Sequence, residues 1–183
     1  MKLAALVLAV PLAFALGQDS PAPDPVSAEV TAHHRWLQRL VGEWTVVNRP
    51  VPAPGAEPTE FELEESVRSL GELWVVAEGR AEFAGQPFQS MMTLGYDPES
   101  KAFVGTWVAS MQAHLWTYEG RYDEATDALT LEAEGPTGTP GETARYRDRI
   151  QWEGPDKRTL VSSMLLEDGT WSVFSRSVYT RKP

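Results

Sequence analysis

Apolar residues fall on every second position in one segment after another, the alternation that a half-buried strand requires. From Glu60 to Ser69, Phe61, Leu63, Glu65 and Val67 share one face against Glu62, Glu64, Ser66 and Arg68. Leu73 to Phe83 aligns Leu73, Val75, Ala77, Gly79, Ala81 and Phe83, with Trp74, Glu78 and Arg80 opposite, and Phe88 to Tyr96 aligns Phe88, Ser90, Met92, Leu94 and Tyr96. Asp97-Pro98-Glu99-Ser100 then puts Asp and Pro at the first two positions of a tight turn. Beyond it Phe103, Gly105, Trp107, Ala109 and Met111 form the better core face, Gln112 to His114 reads as a reversal, and Trp116, Tyr118, Gly120 and Tyr122 continue on the next strand.

The same period runs to the C-terminus. Leu129, Leu131 and Ala133 alternate with Thr130, Glu132 and Glu134. Thr143 to Glu153 sets Ala144, Tyr146, Asp148, Ile150 and Trp152 against Arg145, Arg147 and Arg149, so pairing of these two strands brings arginines beside glutamates. Arg158 to Glu167 carries Leu160, Ser162, Met164 and Leu166 inward. Asp168-Gly169 predicts a two-residue type I′ hairpin. The last strand, Thr170 to Thr180, sets Trp171, Val173, Ser175, Ser177 and Tyr179 against Ser172, Phe174, Arg176 and Val178.

Before these strands, Val30, His33 or His34, Leu37, Leu40 and Val41 recur at helical spacing and Gly42 supplies a stop, so a short amphipathic helix is expected between Ala28 and Val41. Gly42-Glu43-Trp44 opens a strand to about Asn48, and the proline-rich stretch from Arg49 to Thr59 is a loop. About ten strands with one apolar face each and short links predict an all-β, antiparallel up-and-down barrel with a short N-terminal helix capping one end.

At 183 residues the chain fits a single domain, expected over residues 29–183. Met1-Lys2 followed by LAALVLAVPLAFALG has the layout of a secretory signal peptide over residues 1–17, with cleavage after Ala15 or Gly17. Residues 18–28 read as a disordered, Pro-rich lead-in. The expected location is the periplasm or the exterior, with no membrane attachment after cleavage. A formal net charge of −10 without a basic block argues against nucleic acid. The absence of cysteine removes disulfides, thiol catalysis and thiolate metal sites. Adjacent histidines on a helix point to different sides, so His33 and His34 do not make a chelating pair, and no metal site is assigned.

Candidate chemistry gathers on the inward face. Glu65, Ser90, Met92, Trp107, Met111, His114, Trp116, Tyr118, Tyr146, Asp148 and Tyr179 are the expected ligand-binding residues, apolar walls with a few polar contacts, and Ser162 and Ser175 add to the latter. His114, at a strand reversal beside Trp116, is placed at the mouth. Glu65 and Asp148 are each the lone acid on an apolar face, which leaves an acid and base pair as an alternative. No nucleophile motif accompanies them and no catalytic residue is assigned. With no basic residue drawn on the inward faces, the lumen is expected to prefer neutral or cationic amphipathic molecules over anions. Outward Trp74, Phe174 and Val178 offer a surface for a homodimer or another partner.

Gly42-Glu43-Trp44 after a short helix resembles the Gly-x-Trp start of the lipocalin-like (calycin) barrels. HRWLQRLVGEW, MTLGYDPESKAFVGTWVASM, HLWTYEGRYD and LTLEAEGP, in this order, resemble the bacterial exported proteins of domain of unknown function 1579, over about His34 to Thr180. That resemblance implies a lipocalin-like barrel and carries no activity or catalytic residue with it. The ten-stranded haem-binding nitrobindin-like barrels are similar in architecture, but no histidine stands near this C-terminus to serve as an axial ligand, and no cofactor is expected.

Overall fold

A computed structural model describes residues 29–52, 55–83 and 85–183; the leader and the Pro-rich lead-in read from the sequence lie outside them. Helix α1 (Ala32–Gln38) is followed by ten strands: β1 (Gly42–Pro50), β2 (Phe61–Leu70), β3 (Trp74–Phe83), β4 (Gln86–Asp97), β5 (Ala102–Ala109), β6 (Gln112–Asp123), β7 (Ala128–Pro136), β8 (Thr143–Gly154), β9 (Lys157–Leu165) and β10 (Trp171–Arg181). Each strand pairs antiparallel with its neighbours in sequence, and β1 closes on β10, with Trp44 opposite Arg181 and Pro50 opposite Ser175. The expected closed barrel is the fold, and closure leaves no strand edge to pair with another chain.

The register carries the alternation around the wall. Trp44 lies opposite Glu65, Glu65 opposite Gly79, Gly79 opposite Ser90, and Ser90 opposite Ala109, all on the inward face. Leu131 opposite Asp148 and Asp148 opposite Ser162 continue it on the far side.

A ten-stranded barrel is too wide for its own side chains to fill, and α1 fills one end. Thr31 caps the helix, and His34 completes a reciprocal capping box, with Nδ1 accepting the Thr31 N–H at 3.0 Å. The other ring nitrogen meets the Tyr96 carbonyl at 3.0 Å, which assigns the proton to Nε2. His33 stacks on the Tyr96 ring at 4.3 Å. Trp36, Leu37 and Leu40 enter the core with Trp44, Val46, Leu94, Phe103, Leu129 and Leu131. Asp127, in the turn between β6 and β7, accepts from Trp36 Nε1, Tyr122 Oη and both Arg39 Nη atoms, tying the helix to the barrel rim. From the other side Arg181 donates to the carbonyls of Arg39 and Val41 and lies 4.2 Å from the Trp44 ring centre.

Four local features differ from the sequence reading. The reversal between β5 and β6 is at Ser110-Met111, where Ala109 pairs with Gln112, and the extra residues are absorbed by a register shift beyond Trp107. Met111 is therefore a turn residue, 70% exposed, instead of a lumen residue. The Asp168-Gly169 hairpin is three residues long: Gly169 alone has positive φ, and the Asp168 carboxylate accepts from Thr170. A type I turn closed by one left-handed glycine needs no second positive φ, and Leu166 consequently lies past the end of β9 and is exposed. A bulge between Val173 and Ser175 brings Phe174, expected outward, against inward Tyr146, while Trp171 meets outward Arg147. Of the three arginines on β8, Arg145 forms the ion pair with Glu132, diagonally across the ladder, at 2.5 Å.

Candidate functional site

The inward residues change character along the barrel axis. Beside α1 they are sealed: Trp44, Val46, Leu129 and Leu131 have no exposed surface. Toward the opposite end Trp107, Trp116, Tyr118, Tyr146, Asp148, Ser162 and Met164 keep partial exposure although they lie on the same inward rows, as does Met92 nearer the floor. The inward row on β3 is small throughout, running from Ala77 in the core through Gly79, against which Ser90 packs, to Ala81. The barrel is thus a cup, with α1 below its floor and its mouth at the end where β5 turns into β6.

Aromatic rings line that mouth in two groups. Phe61, Phe83 and Phe88 pack edge to face, with centroids 4.5 and 5.3 Å apart. On the other side His114 meets Trp116 at 4.9 Å, Trp116 meets Tyr146 at 4.8 Å, and Tyr146 meets Phe174 at 6.1 Å. The Trp116 ring occupies the space that a side chain at position 135 would need, so Gly135 is what lets the ring come this close to β7.

Below the mouth, polar groups face inward from β1, β2, β6, β8, β9 and β10. Arg158 Nη2 pairs with Glu65 Oε1, and the guanidinium lies 3.7 Å from the Tyr179 ring centre and 4.8 Å from that of Trp44. Arg158 is 4% exposed, and its Nε is buried without a partner. Tyr118 donates to Asp148 Oδ2 at 2.7 Å, and the Asn48 amide donates to Ser175 at 2.9 Å and Ser177 at 2.6 Å. A cavity of about 30 Å³ lies at the floor between Glu65, Arg158 and Tyr179 on one side and Leu40, Val75, Ala77, Met92 and Leu94 on the other.

Burial sets the electrostatics of these groups. It pushes the Asp148 carboxyl up, against the opposing hydrogen bonds from Ser162 and Tyr118. Burial raises the Tyr118 hydroxyl first and the nearby Asp148 charge second; Tyr179 is raised by burial and then by Glu65. A carboxyl raised in the folded state gives stability that is complete below its unfolded pKa and is lost as pH rises through the folded value. Asp148→Asn keeps an acceptor for Tyr118 and removes the buried charge. It is expected to stabilise the protein at about pH 7 by roughly 1.4 kcal/mol for each unit by which the carboxyl is raised. Urea unfolding at neutral and strongly acidic pH checks this, since the gain must vanish in acid.

Of the residues expected to line a site, Glu65, Ser90, Met92, Trp107, Trp116, Tyr118, Tyr146, Asp148 and Tyr179 all lie on inward rows. His114 is at the rim, with Nε2 3.4 Å from the Glu134 carbonyl. Glu65 and Asp148 are held by different partners, Arg158 and Tyr118, and do not share a hydrogen bond. Arg158 is the residue that the sequence reading left out. It corrects the assumption that no inward residue is basic, and the preference for neutral or cationic molecules over anions built on that assumption loses its ground. Its parity with Leu160 and Ser162 was the available signal. Among the described residues no three His, Asp or Glu side chains come together as metal ligands. The outward apolar surface also differs from expectation, because Phe174 has turned to the rim, while Met91 and Val108 stand directly opposite each other and exposed on β4 and β5.

Comparison with a solved structure agrees with this architecture. Rv2717c from M. tuberculosis, known from its crystal structure, is similar at a TM-score of 0.57 and 16% identity, covering 85% of this chain and 100% of that one. At that identity the likeness is one of fold. A redesigned β-barrel aligns with a TM-score of 0.44 at 9% identity, over 81% of this chain and 96% of its own. A search of curated proteins finds no match. The motifs spread along the barrel belong together all the same: over residues 29–181 the chain matches, and therefore belongs to, the family described as "Protein of unknown function (DUF1579)".

Proposed function

We propose that this protein is a binding barrel, taking a small, partly apolar molecule into the cup through the mouth opposite α1. The observation that carries the reading is the gradient on the inward rows, sealed beside the helix and accessible beyond it. A filled core leaves inward Trp107, Trp116, Tyr146 and Met164 no reason to be wet. Apolar walls with a few converging polar groups are the usual lining of a small-molecule site. The leader read from residues 1–17 supports a role after export, in the periplasm or outside the cell. Glu65 and Asp148, each held by its own partner, serve in this reading as fixed polar contacts.

The neutral fluorophore N-phenylnaphthylamine tests the reading. It is expected to bind at one site with enhanced emission, and Ala81→Trp, which puts a large ring in place of a methyl group on the inward row of β3, is expected to weaken uptake at least about tenfold. No uptake by the wild-type protein, or uptake indifferent to Ala81→Trp, contradicts it.

A further inference from the structure

Asp148 is an inward carboxyl without a counter-ion. Tyr118 donates to its Oδ2 at 2.7 Å, and Ser162, its neighbour across the ladder on β9, is the other donor. Among the described residues no lysine, arginine or histidine pairs with it, because the inward cation, Arg158, is engaged with Glu65. That pair is neutral as a whole, so the charge left over in the lumen is the one on Asp148. Protein surrounds the carboxyl on every side, yet the residue keeps surface that water can touch. On the inward row of a closed wall, both hold together where a group faces an accessible lumen.

The kind of partner follows from what stands above the acid. Strands β6 and β8 both run from the mouth toward the floor, so Trp116 and Tyr146 lie one inward position nearer the mouth than Tyr118 and Asp148, about 7 Å along the strands. Their rings meet edge to face at 4.8 Å. A group that reaches Asp148 from the mouth passes these rings, and the faces of such rings attract cations. An anion is desolvated there beside like charge. A neutral amide offers hydrogen bonds and leaves the charge unmatched. A protonated amine brings the donors and the missing charge together.

Resting on the binding reading above, we propose that Asp148 anchors a protonated primary amine in the lumen, with Trp116 and Tyr146 forming the wall along which its apolar chain runs to the mouth. The ligand class is therefore alkylamines, and free fatty acid anions are rejected. The anchor also gives a reason for an acid at this position. A buried carboxylate without a counter-ion is unfavourable in the empty barrel, and the amine supplies what the chain itself withholds.

Displacement of N-phenylnaphthylamine by octylammonium, octanamide and octanoate, at about pH 7 and constant ionic strength, compares head groups on chains of the same length. Octylammonium is expected to displace the dye at least about tenfold more tightly than either of the others. In Asp148→Asn that advantage is expected to vanish while the dye and octanamide bind as before. The variant changes the formal net charge of −10 by a single unit, so a general attraction of cations to the acidic surface survives it. Octanamide or octanoate displacing as well as octylammonium from the wild-type protein, or a variant that keeps the advantage, overturns the anchor and leaves the binding reading standing. Equal loss of all three ligands and the dye in the variant makes Asp148 part of the wall and overturns the anchor too. Failure of the dye to bind the wild-type protein overturns the binding reading first, and this one with it.

Discussion

Arg158→Met is expected to cost about 3 to 5 kcal/mol, because it leaves the Glu65 carboxylate with no partner in a largely buried position. The methionine keeps most of the packing against Tyr179 and Trp44, so the loss reports charge more than volume. The partner change separates the two. Glu65→Gln alone strands the buried guanidinium and is expected to be costly as well, while Glu65→Gln/Arg158→Met removes both charges and is expected to recover most of the loss, since a matched apolar replacement of a buried ion pair is often neutral or stabilising. Urea unfolding of all four proteins gives the coupling directly. Additive single effects contradict the assignment of Glu65 and Arg158 as one buried pair.

Trp44→Ala carries the other large effect, about 3 to 5 kcal/mol. The ring has no exposed surface, donates Nε1–H to the Leu40 carbonyl at 2.8 Å, and lies under the guanidinium groups of Arg158 and Arg181. It joins α1, the start of β1, the end of β10 and the buried ion pair, so its removal opens a cavity beneath the floor of the cup and loosens the helix. Trp44→Phe refills much of that volume and is expected to cost less than half as much. A midpoint shift in urea at constant slope measures the loss. An alanine variant as stable as the wild type contradicts the placing of this ring at the centre of the core.

The physical reasons for what could be read in advance are specific. Strand parity was legible because each strand has one wet and one dry face, so Leu63, Met92, Leu131 and Ile150 report the inside wherever they fall on alternate positions. Glu65 and Asp148 stood out as single acids interrupting such rows, and both point inward. Arg158 was hidden by its place just after the Gly154-Pro155-Asp156-Lys157 turn, where a charged residue reads as solvated, although it is two positions from Leu160 on the same face. Met111 and Phe174 were misplaced for another reason. The turn at Ser110-Met111 carries no glycine or proline, and the bulge beside Phe174 inserts one residue without a sequence mark, which reverses parity locally. His34 caps the helix through its neighbour Thr31, but the contact of its other ring nitrogen with the Tyr96 carbonyl, far off in sequence, is one that no local pattern encodes.

The open cup can be tested through its methionines, which sample both faces of the wall. Met92 and Met164 lie on inward rows, whereas Met91 is outward on β4 and Met111 is in the exposed turn between β5 and β6. Methyl-labelled methionine spectra recorded while the protein is saturated with N-phenylnaphthylamine are expected to move the Met92 and Met164 signals through the aromatic rings of the dye and to leave Met91 and Met111 in place. Movement of Met91 or Met111 with Met92 and Met164 unchanged puts the dye on the outer surface and contradicts a ligand-accepting lumen.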